Sequence, residues 1–471
     1  MEKLYSPLTD LTTPGVQVSG CEYMKPITKN KLESDWIEKE NNEFMQKRHR
    51  RYLHFDRVIE SITNDIFKKI VDTNFVTSYS FFPLIQRISK SRLYKKDLET
   101  GGKKIKVKER AIRYPAHFDA LIYSWYSYQL THYYENIIEK EEVNESIIAY
   151  RKLNRSNLKF AKEVFDFIST KEESVAVAFD IKGFYDNLDF KILKDSWKAV
   201  LARKDLPDDH YAVYKAITNF SYVDHENVVK CLGFKEKNPK YEDLKVFFNS
   251  ELINLIRSEN IIEKNKKVGV PQGAPISCVL SNMYMLDFDR NVIKKIQEFE
   301  GLYRRYSDDI IIVCPPQFLD ELKTFIKNEI KKVKLIIEDT KTEIRFFRKE
   351  AGKLVCYDEK SKISKLQYLG VNFDGTTFTL RHKGYAKFER RMSKSVKHET
   401  KLADKAKRGV SKKKLYEKFT PLGDMNYITY VKRASILLTS PNILKSVRAG
   451  RLFKKIKEKI SLTKKKILAS A

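Results

Sequence analysis

At 471 residues, with 42% hydrophobic and 32% charged side chains, the chain can build roughly two to four packed subdomains without disulfide staples. Lys+Arg 91 against Asp+Glu 62 leave a formal charge of +29, which points to a polyanionic partner, with a membrane surface or a Lys-rich proteome as the plainer readings. Cys21, Cys231, Cys278, Cys314 and Cys356 are scattered and never spaced C-x-x-C, which excludes a disulfide framework or a structural zinc site. No stretch reaches the ~18 apolar residues of a membrane span and the N-terminus lacks an apolar signal core, so a cytoplasmic protein with no membrane partner is expected.

In chain order, the first thirty residues predict an irregular, Pro/Gly-punctuated arm. Residues 31 to 75 predict helix, with Trp36, Phe44, Phe55, Ile59, Ile62 and Ile66 recurring at spacings near three and four. Lys95 to Val107, with Thr100-Gly101-Gly102 in its middle, predicts a lysine-rich β-hairpin. Asp119 to Ile138 predicts a helix rich in tyrosine and tryptophan. Ser174 to Asp180 predicts a buried strand ending in an acid. Residues 205 to 265 predict mostly helix around a polar, insertion-like middle. Leu302 to Val313 predicts strand, acidic turn, strand, and Leu366 to Leu380 a hairpin turning at Asp374-Gly375. From Arg381 onward there are 27 Lys+Arg against 6 Asp+Glu, which predicts basic helices in contact with phosphates.

Three segments carry chemistry. In Tyr306-Ser307-Asp308-Asp309, two adjacent carboxylates are held at a turn between apolar strands, where both stay ionised cheaply only beside a cation. Asp180 closes a buried strand. It could be a helix N-cap, or a third carboxylate beside Asp308 and Asp309 completing a divalent-metal site. Two Mg²⁺ ions, with Mn²⁺ as an alternative, would there clamp an attacking 3′-oxygen and a leaving pyrophosphate. Gly269-Val-Pro-Gln-Gly-Ala-Pro-Ile-Ser277 makes a rigid turn whose backbone can approach a flat ligand, with Gln272 offering both donor and acceptor groups.

In this order, the segments resemble motifs A, B and C of the reverse transcriptase family. The likeness continues at Ile337 to Glu343 (motif D), at Leu366-Gln-Tyr-Leu-Gly370 (motif E), and upstream at Arg110 to Pro115 and Ala149-Tyr-Arg151. It covers about residues 80 to 380, roughly two thirds of the chain. It implies an α+β right-hand polymerase. Residues 1–79 would be an N-terminal arm and helical extension, 80–380 the fingers and palm, and 381–471 a basic thumb. Asp180, Asp308, Asp309 and the Ile181 carbonyl would bind metal. Lys341 would protonate pyrophosphate, Arg110 and Arg151 would face the triphosphate, Gln272 would line the nucleotide pocket, and Tyr185 would be a steric gate against a 2′-hydroxyl. The implied activity is RNA-directed DNA synthesis, with an RNA template, DNA product and deoxynucleotides as partners.

The wording of motifs A and B resembles bacterial enzymes. Clustered Cys/His and the signatures Asn-Ala-x-x-His and Val-Thr-Gly are missing, and Ser277-Cys278 stands where intron enzymes carry Ser-Pro. The remaining likeness is to abortive-infection and defence-associated reverse transcriptases, which implies a dedicated noncoding RNA and a homo-oligomer. A template-independent or protein-primed polymerase of the same fold, and a non-catalytic RNA-binding scaffold, remain as alternatives.

Overall fold

The computed structural model describes residues 28–45, 52–96, 103–234, 250–266, 268–447 and 449–469. The predicted N-terminal arm up to residue 27, the hairpin turn at Thr100 to Gly102 and most of the polar insertion lie outside these residues.

The predicted helix over 31–75 is interrupted. A helix spans Lys29–Met45 and two short ones follow at Asn64–Val71 and Thr73–Ser78, but residues 52–63 are irregular. Local polar contacts explain the break. His54 Nδ1 accepts from the Phe55 amide at 2.9 Å, and the Asp56 carboxylate accepts from the amides of His117 (3.0 Å) and Phe118 (2.8 Å). Asp56 thereby caps the helix His117–Ile138 from sixty residues upstream, and binds His117 Nδ1 at 2.7 Å as well. The first helix docks on that same long helix, with the Trp36 ring 5.4 Å from Trp125 and the Trp36 indole donating to Ser124.

Strands β1 (Leu84–Lys96) and β2 (Lys103–Tyr114) form the hairpin, with arms longer than the sequence pattern predicts. The segment expected to be mainly helical between 205 and 265 also contributes two strands to this sheet. β4 (Ser221–Asp224) runs parallel to β1, and β5 (Glu263–Lys264) closes the order β2-β1-β4-β5. A small core of Leu53, Phe55, Ile85, Val223, Val228, Val229 and Ile256 holds this layer together.

The centre is an antiparallel five-stranded sheet in the order β6-β7-β3-β8-β9, made from β3 (Glu173–Asp180), β6 (Leu302–Tyr306), β7 (Asp309–Cys314), β8 (Glu343–Glu350) and β9 (Lys353–Tyr357). Both faces are covered, which is why β3 and β7 read as near-continuous apolar runs. Val175, Val177, Phe179, Ile310 and Ile312 pack into the larger core with the helices His117–Ile138, Ser277–Tyr284, Leu286–Glu298 and Leu319–Lys332. Ala176, Ile311 and Val313 alternate to the other face, against the helix Asn157–Ser169 and the C-terminal layer.

The predicted hairpin at 366–380 is three short strands, β10 (Leu366–Tyr368), β11 (Val371–Phe373) and β12 (Phe378–Leu380). The extra turn arises because Leu369 and Gly370 both adopt positive φ, 43° and 89°, and reverse the chain within two residues. The second turn falls at Asp374, as expected, and its carboxylate accepts from the Thr377 amide at 2.7 Å. Among the described residues five α-helices follow, from His382–Lys405 to Leu452–Leu468. In the first of them Phe388, Met392, Val396, Thr400 and Ala403 form a buried stripe, and Leu452, Ile456 and Ile460 in the last are buried in the same core. Among the described residues no helix is long and apolar enough to cross a membrane.

Candidate active site

Central-strand pairing puts the three acids at neighbouring backbone positions. β3 and β7 pair from Val175↔Cys314 to Asp180↔Asp309, so the last residue of one strand faces the first of the other. Asp308 sits in the connecting turn, which Ser307 makes possible with φ 60°, and the Asp308 carbonyl accepts from the Ile181 amide at 3.4 Å. Their charges act on one another. Burial raises the Asp308 carboxyl above its ordinary value and Asp180 adds to this, while Lys108 and Arg110 oppose it. Asp309 stands at an exposed strand start, yet burial of its carboxyl, with Asp308 and Asp180, pushes it up to about 6. Arg381 pulls it back.

Such a set of crowded carboxylate oxygens suits a hard divalent cation, which would relieve the repulsion. Asp180 is also engaged by Lys341, whose Nζ bonds its Oδ2. Among the described residues no three His, Cys, Asp or Glu side chains are already gathered around one point. The oxygen donors of Asp180, Asp308 and Asp309 are of the type that a hard divalent cation takes, and the Lys341 ammonium holds one of them in this arrangement.

The glycine loop is wedged between two neighbours. The Gly269 amide donates to Leu188 O and the Val270 amide to Tyr185 O, while the Arg113 amide of β2 donates to Gln272 O at 2.9 Å. Gly273 has φ 130°, and a Cβ there would lie 2.6 Å from the Arg113 carbonyl oxygen, so only glycine fits. Gln272 is thus placed, half-buried, at the seam between the hairpin sheet and the acid-bearing sheet. Tyr185, just beyond the β3 acid, donates to Tyr150 Oη at 3.0 Å, and Tyr150 in turn donates to Ser307 Oγ at 3.3 Å.

The family model described as reverse transcriptase (RNA-dependent DNA polymerase) matches residues 134–373, half of the chain, and spans the acids and the glycine loop. The chain belongs to the reverse transcriptase family. No curated protein matches the sequence. Solved structures that align with it include apo telomerase from Candida tropicalis truncated from its C-terminal domain, at 14% identity and a TM-score of 0.39, covering 67% of this chain and 59% of that one. Apo telomerase from Candida tropicalis aligns at 14% identity and TM-score 0.39, over 92% of this chain and 66% of that one. Telomerase from Candida albicans in complex with a TWJ fragment of telomeric RNA aligns at 10% identity and TM-score 0.39, over 92% and 67%. This reverse transcriptase chain spans about three fifths to two thirds of the length of those proteins.

Of the residues expected to serve this reverse transcriptase, Arg151 stands elsewhere than predicted. Its guanidinium is bidentate on Glu135 and also donates to Asn144 and to the Ile147 carbonyl, and its side chain is 2% exposed. It braces the segment before β3 and does not open to the cleft. Arg110 is exposed on β2, and its charge acts on Asp308. Lys108 and Arg381 act on the acids as well and were not singled out from sequence. Beneath the acidic turn lies a further group that the motif does not announce. Arg305 and Asp289, both fully buried, form a two-pronged ion pair at 2.7 and 2.6 Å, and Arg305 also donates to the Ser307 carbonyl at 3.3 Å. Burial pushes the Asp289 carboxyl up, and the Arg305 guanidinium and the Tyr303 hydroxyl oppose it. The available signal was Arg305 alternating with Tyr303 on one face of β6, since a charge on the inward face requires a buried acid.

Proposed function

We propose that this reverse transcriptase makes DNA on an RNA template by nucleotidyl transfer, with residues 80–380 as fingers and palm and 381–471 as thumb. The observation that carries the reading is the pairing of Asp180 opposite Asp309 with Asp308 in the adjoining turn. Two Mg²⁺ ions bound by Asp180, Asp308, Asp309 and the Ile181 carbonyl would supply charge neutralisation at the attacking and leaving oxygens. The primer 3′-oxygen bonds to the α-phosphorus as the bridging bond to the β-phosphate breaks, and pyrophosphate leaves. Arg110, with Lys108 beside it, draws the triphosphate over the acids. Lys341, freed from Asp180, is placed to give a proton to the pyrophosphate. The Tyr185 ring occupies the space a 2′-hydroxyl needs, and Gln272 lines the same pocket. Exposed lysines of the thumb hold the duplex by its phosphates without reading sequence.

The likeness of the motif A and B wording to bacterial enzymes, with Ser277-Cys278 where intron enzymes carry Ser-Pro, supports a dedicated noncoding RNA as template, a homo-oligomer and a role in bacterial antiphage defence. The test uses purified protein with its retained nucleic acid, an added primed RNA, labelled deoxynucleotides or ribonucleotides, and Mg²⁺. Asp308→Asn/Asp309→Asn protein is the control, and the products are sequenced. Metal-dependent deoxynucleotide incorporation that the double variant loses is the expected result. No incorporation on either RNA overturns the catalytic reading, and product unrelated to any RNA present overturns the templated one.

A further inference from the structure

Tyr150 belongs to none of the acid or glycine motifs, yet it is held more firmly than an ordinary loop residue. It adopts φ 62° between buried Ala149 and buried Arg151 while its own side chain is 45% exposed. A tyrosine in the left-handed region costs on the order of 1 kcal/mol and persists only where its surroundings impose it. They do so here from three sides. Asn282, on the helix that follows the glycine loop, donates to the Ala149 carbonyl at 2.9 Å. The Ile148 amide donates to the Arg305 carbonyl at 3.1 Å, which ties the segment to β6. Arg151 is anchored in Glu135 directly afterwards.

The outcome is an exposed phenol held beside the acidic turn. Its hydroxyl accepts from Tyr185 at 3.0 Å and donates to Ser307 at 3.3 Å, and its ring centroid lies 6.4 Å from that of Tyr306. Tyr185, Tyr150 and Ser307 thus form one hydrogen-bonded chain from the gate to the turn that carries Asp308. The Tyr185 ring packs on the larger core beside Phe184, and Ser281 and Cys278 also lie at its hydroxyl, so Tyr150 is the partner that links it to the acidic turn rather than its only support.

We propose that Tyr150 is a positioning residue for sugar selection. Through this hydroxyl chain it fixes the Tyr185 ring at a set distance from the acidic turn, and so sets how sharply the pocket excludes a 2′-hydroxyl. The inference rests on the polymerase reading above and adds a residue to it. Loss of the hydroxyl should weaken selection without removing the gate, because the Tyr185 ring remains.

The experiment compares steady-state incorporation of deoxy- and ribonucleotides by the full chain, Tyr150→Phe, Tyr185→Ala and the double variant. Tyr150→Phe is expected to lower the deoxy-to-ribo ratio of kcat/KM about 3- to 10-fold, the size of one lost hydrogen bond, mainly through the deoxynucleotide KM. In the Tyr185→Ala background the same substitution is expected to change the ratio by less than about twofold, since the residue it acts through is gone. Ser307→Ala, which removes the far acceptor, should shift the ratio in the same direction as Tyr150→Phe. An unchanged ratio in an active Tyr150→Phe protein overturns the proposal, as does an equal effect with and without Tyr185. Absence of metal-dependent incorporation by the wild-type chain instead overturns the polymerase reading on which the proposal rests.

Discussion

The central sheet and the C-terminal helices both handle charge, in opposite ways. Around the sheet, charges are matched in fixed pairs: Arg305 with Asp289, Arg151 with Glu135, Lys341 with Asp180. From Arg381 onward, 27 basic residues face only 6 acidic ones, and many of the lysines, such as Lys394, Lys397 and Lys401, are exposed on one helix face. Pairing fixes atoms in place, most firmly where Arg305 and Asp289 are fully buried, while a loose basic surface attracts a polyanion without demanding a particular geometry. The sheet thus concentrates fixed geometry, and the C-terminal helices concentrate unpaired positive charge.

The sharpest way to break the comparison is at the acids. Asp308→Asn/Asp309→Asn should lower incorporation by about a thousandfold or more while holding or raising Tm at neutral pH, because the acids repel one another in the folded chain. A large loss of Tm in that variant would mean the turn needs its charges to fold. Next in size is the buried pair. Asp289→Ala strands Arg305 inside the protein and should cost about 3–5 kcal/mol in urea unfolding. Neutralising a single exposed thumb lysine should cost under about 0.5 kcal/mol.

Gly273→Ala should destabilise by about 1–3 kcal/mol, since the new methyl meets the Arg113 carbonyl and the backbone stands at φ 130°. Asp309 offers a pH test. Its folded value is about 6 against an ordinary 3.8, so the folded chain holds this proton more tightly than the unfolded one. Its effect on stability is therefore a loss as pH rises between those values, and Tm of Asp309→Asn should pull ahead of wild type through that interval. Affinity for divalent metal should rise with pH over the same range. Smallest in stability is Lys394→Gln/Lys397→Gln/Lys401→Gln. It should leave unfolding nearly unchanged and flatten the salt dependence of nucleic-acid binding by about 0.9 for each phosphate no longer neutralised.

Much of this architecture can be read from residue order. Ser174 to Asp180 and Ile310 to Val313 announce buried strands because both faces of the sheet are covered, and the glycine loop announces close backbone approach. What could not be read depends on partners distant in sequence. Arg151 looks like a free cation until Glu135 and Asn144 come beside it. The irregular stretch at 52–63 carries apolar residues at helical spacing, but Asp56 is drawn to a helix sixty residues away. β4 and β5 are two to four residues long, too short to show a period, and join the hairpin sheet only through pairing. Leu369 gave no hint of its left-handed backbone, and with it came an additional strand.

The capping of the long helix by Asp56 bears on the order of synthesis. Asp56 leaves the ribosome well before His117 and Phe118, the residues whose amides it satisfies. The cap is made first and waits. As the aromatic helix emerges, its N-terminus can be closed at once by a segment already outside the exit tunnel, and Trp36 is there to cover Trp125. Further along, the helix still waits for elements made later, since Tyr126 bonds Asp209 and its apolar face packs with Val175, Val213 and Leu280. The upstream segment serves, in effect, as a resident folding template for the element that follows it.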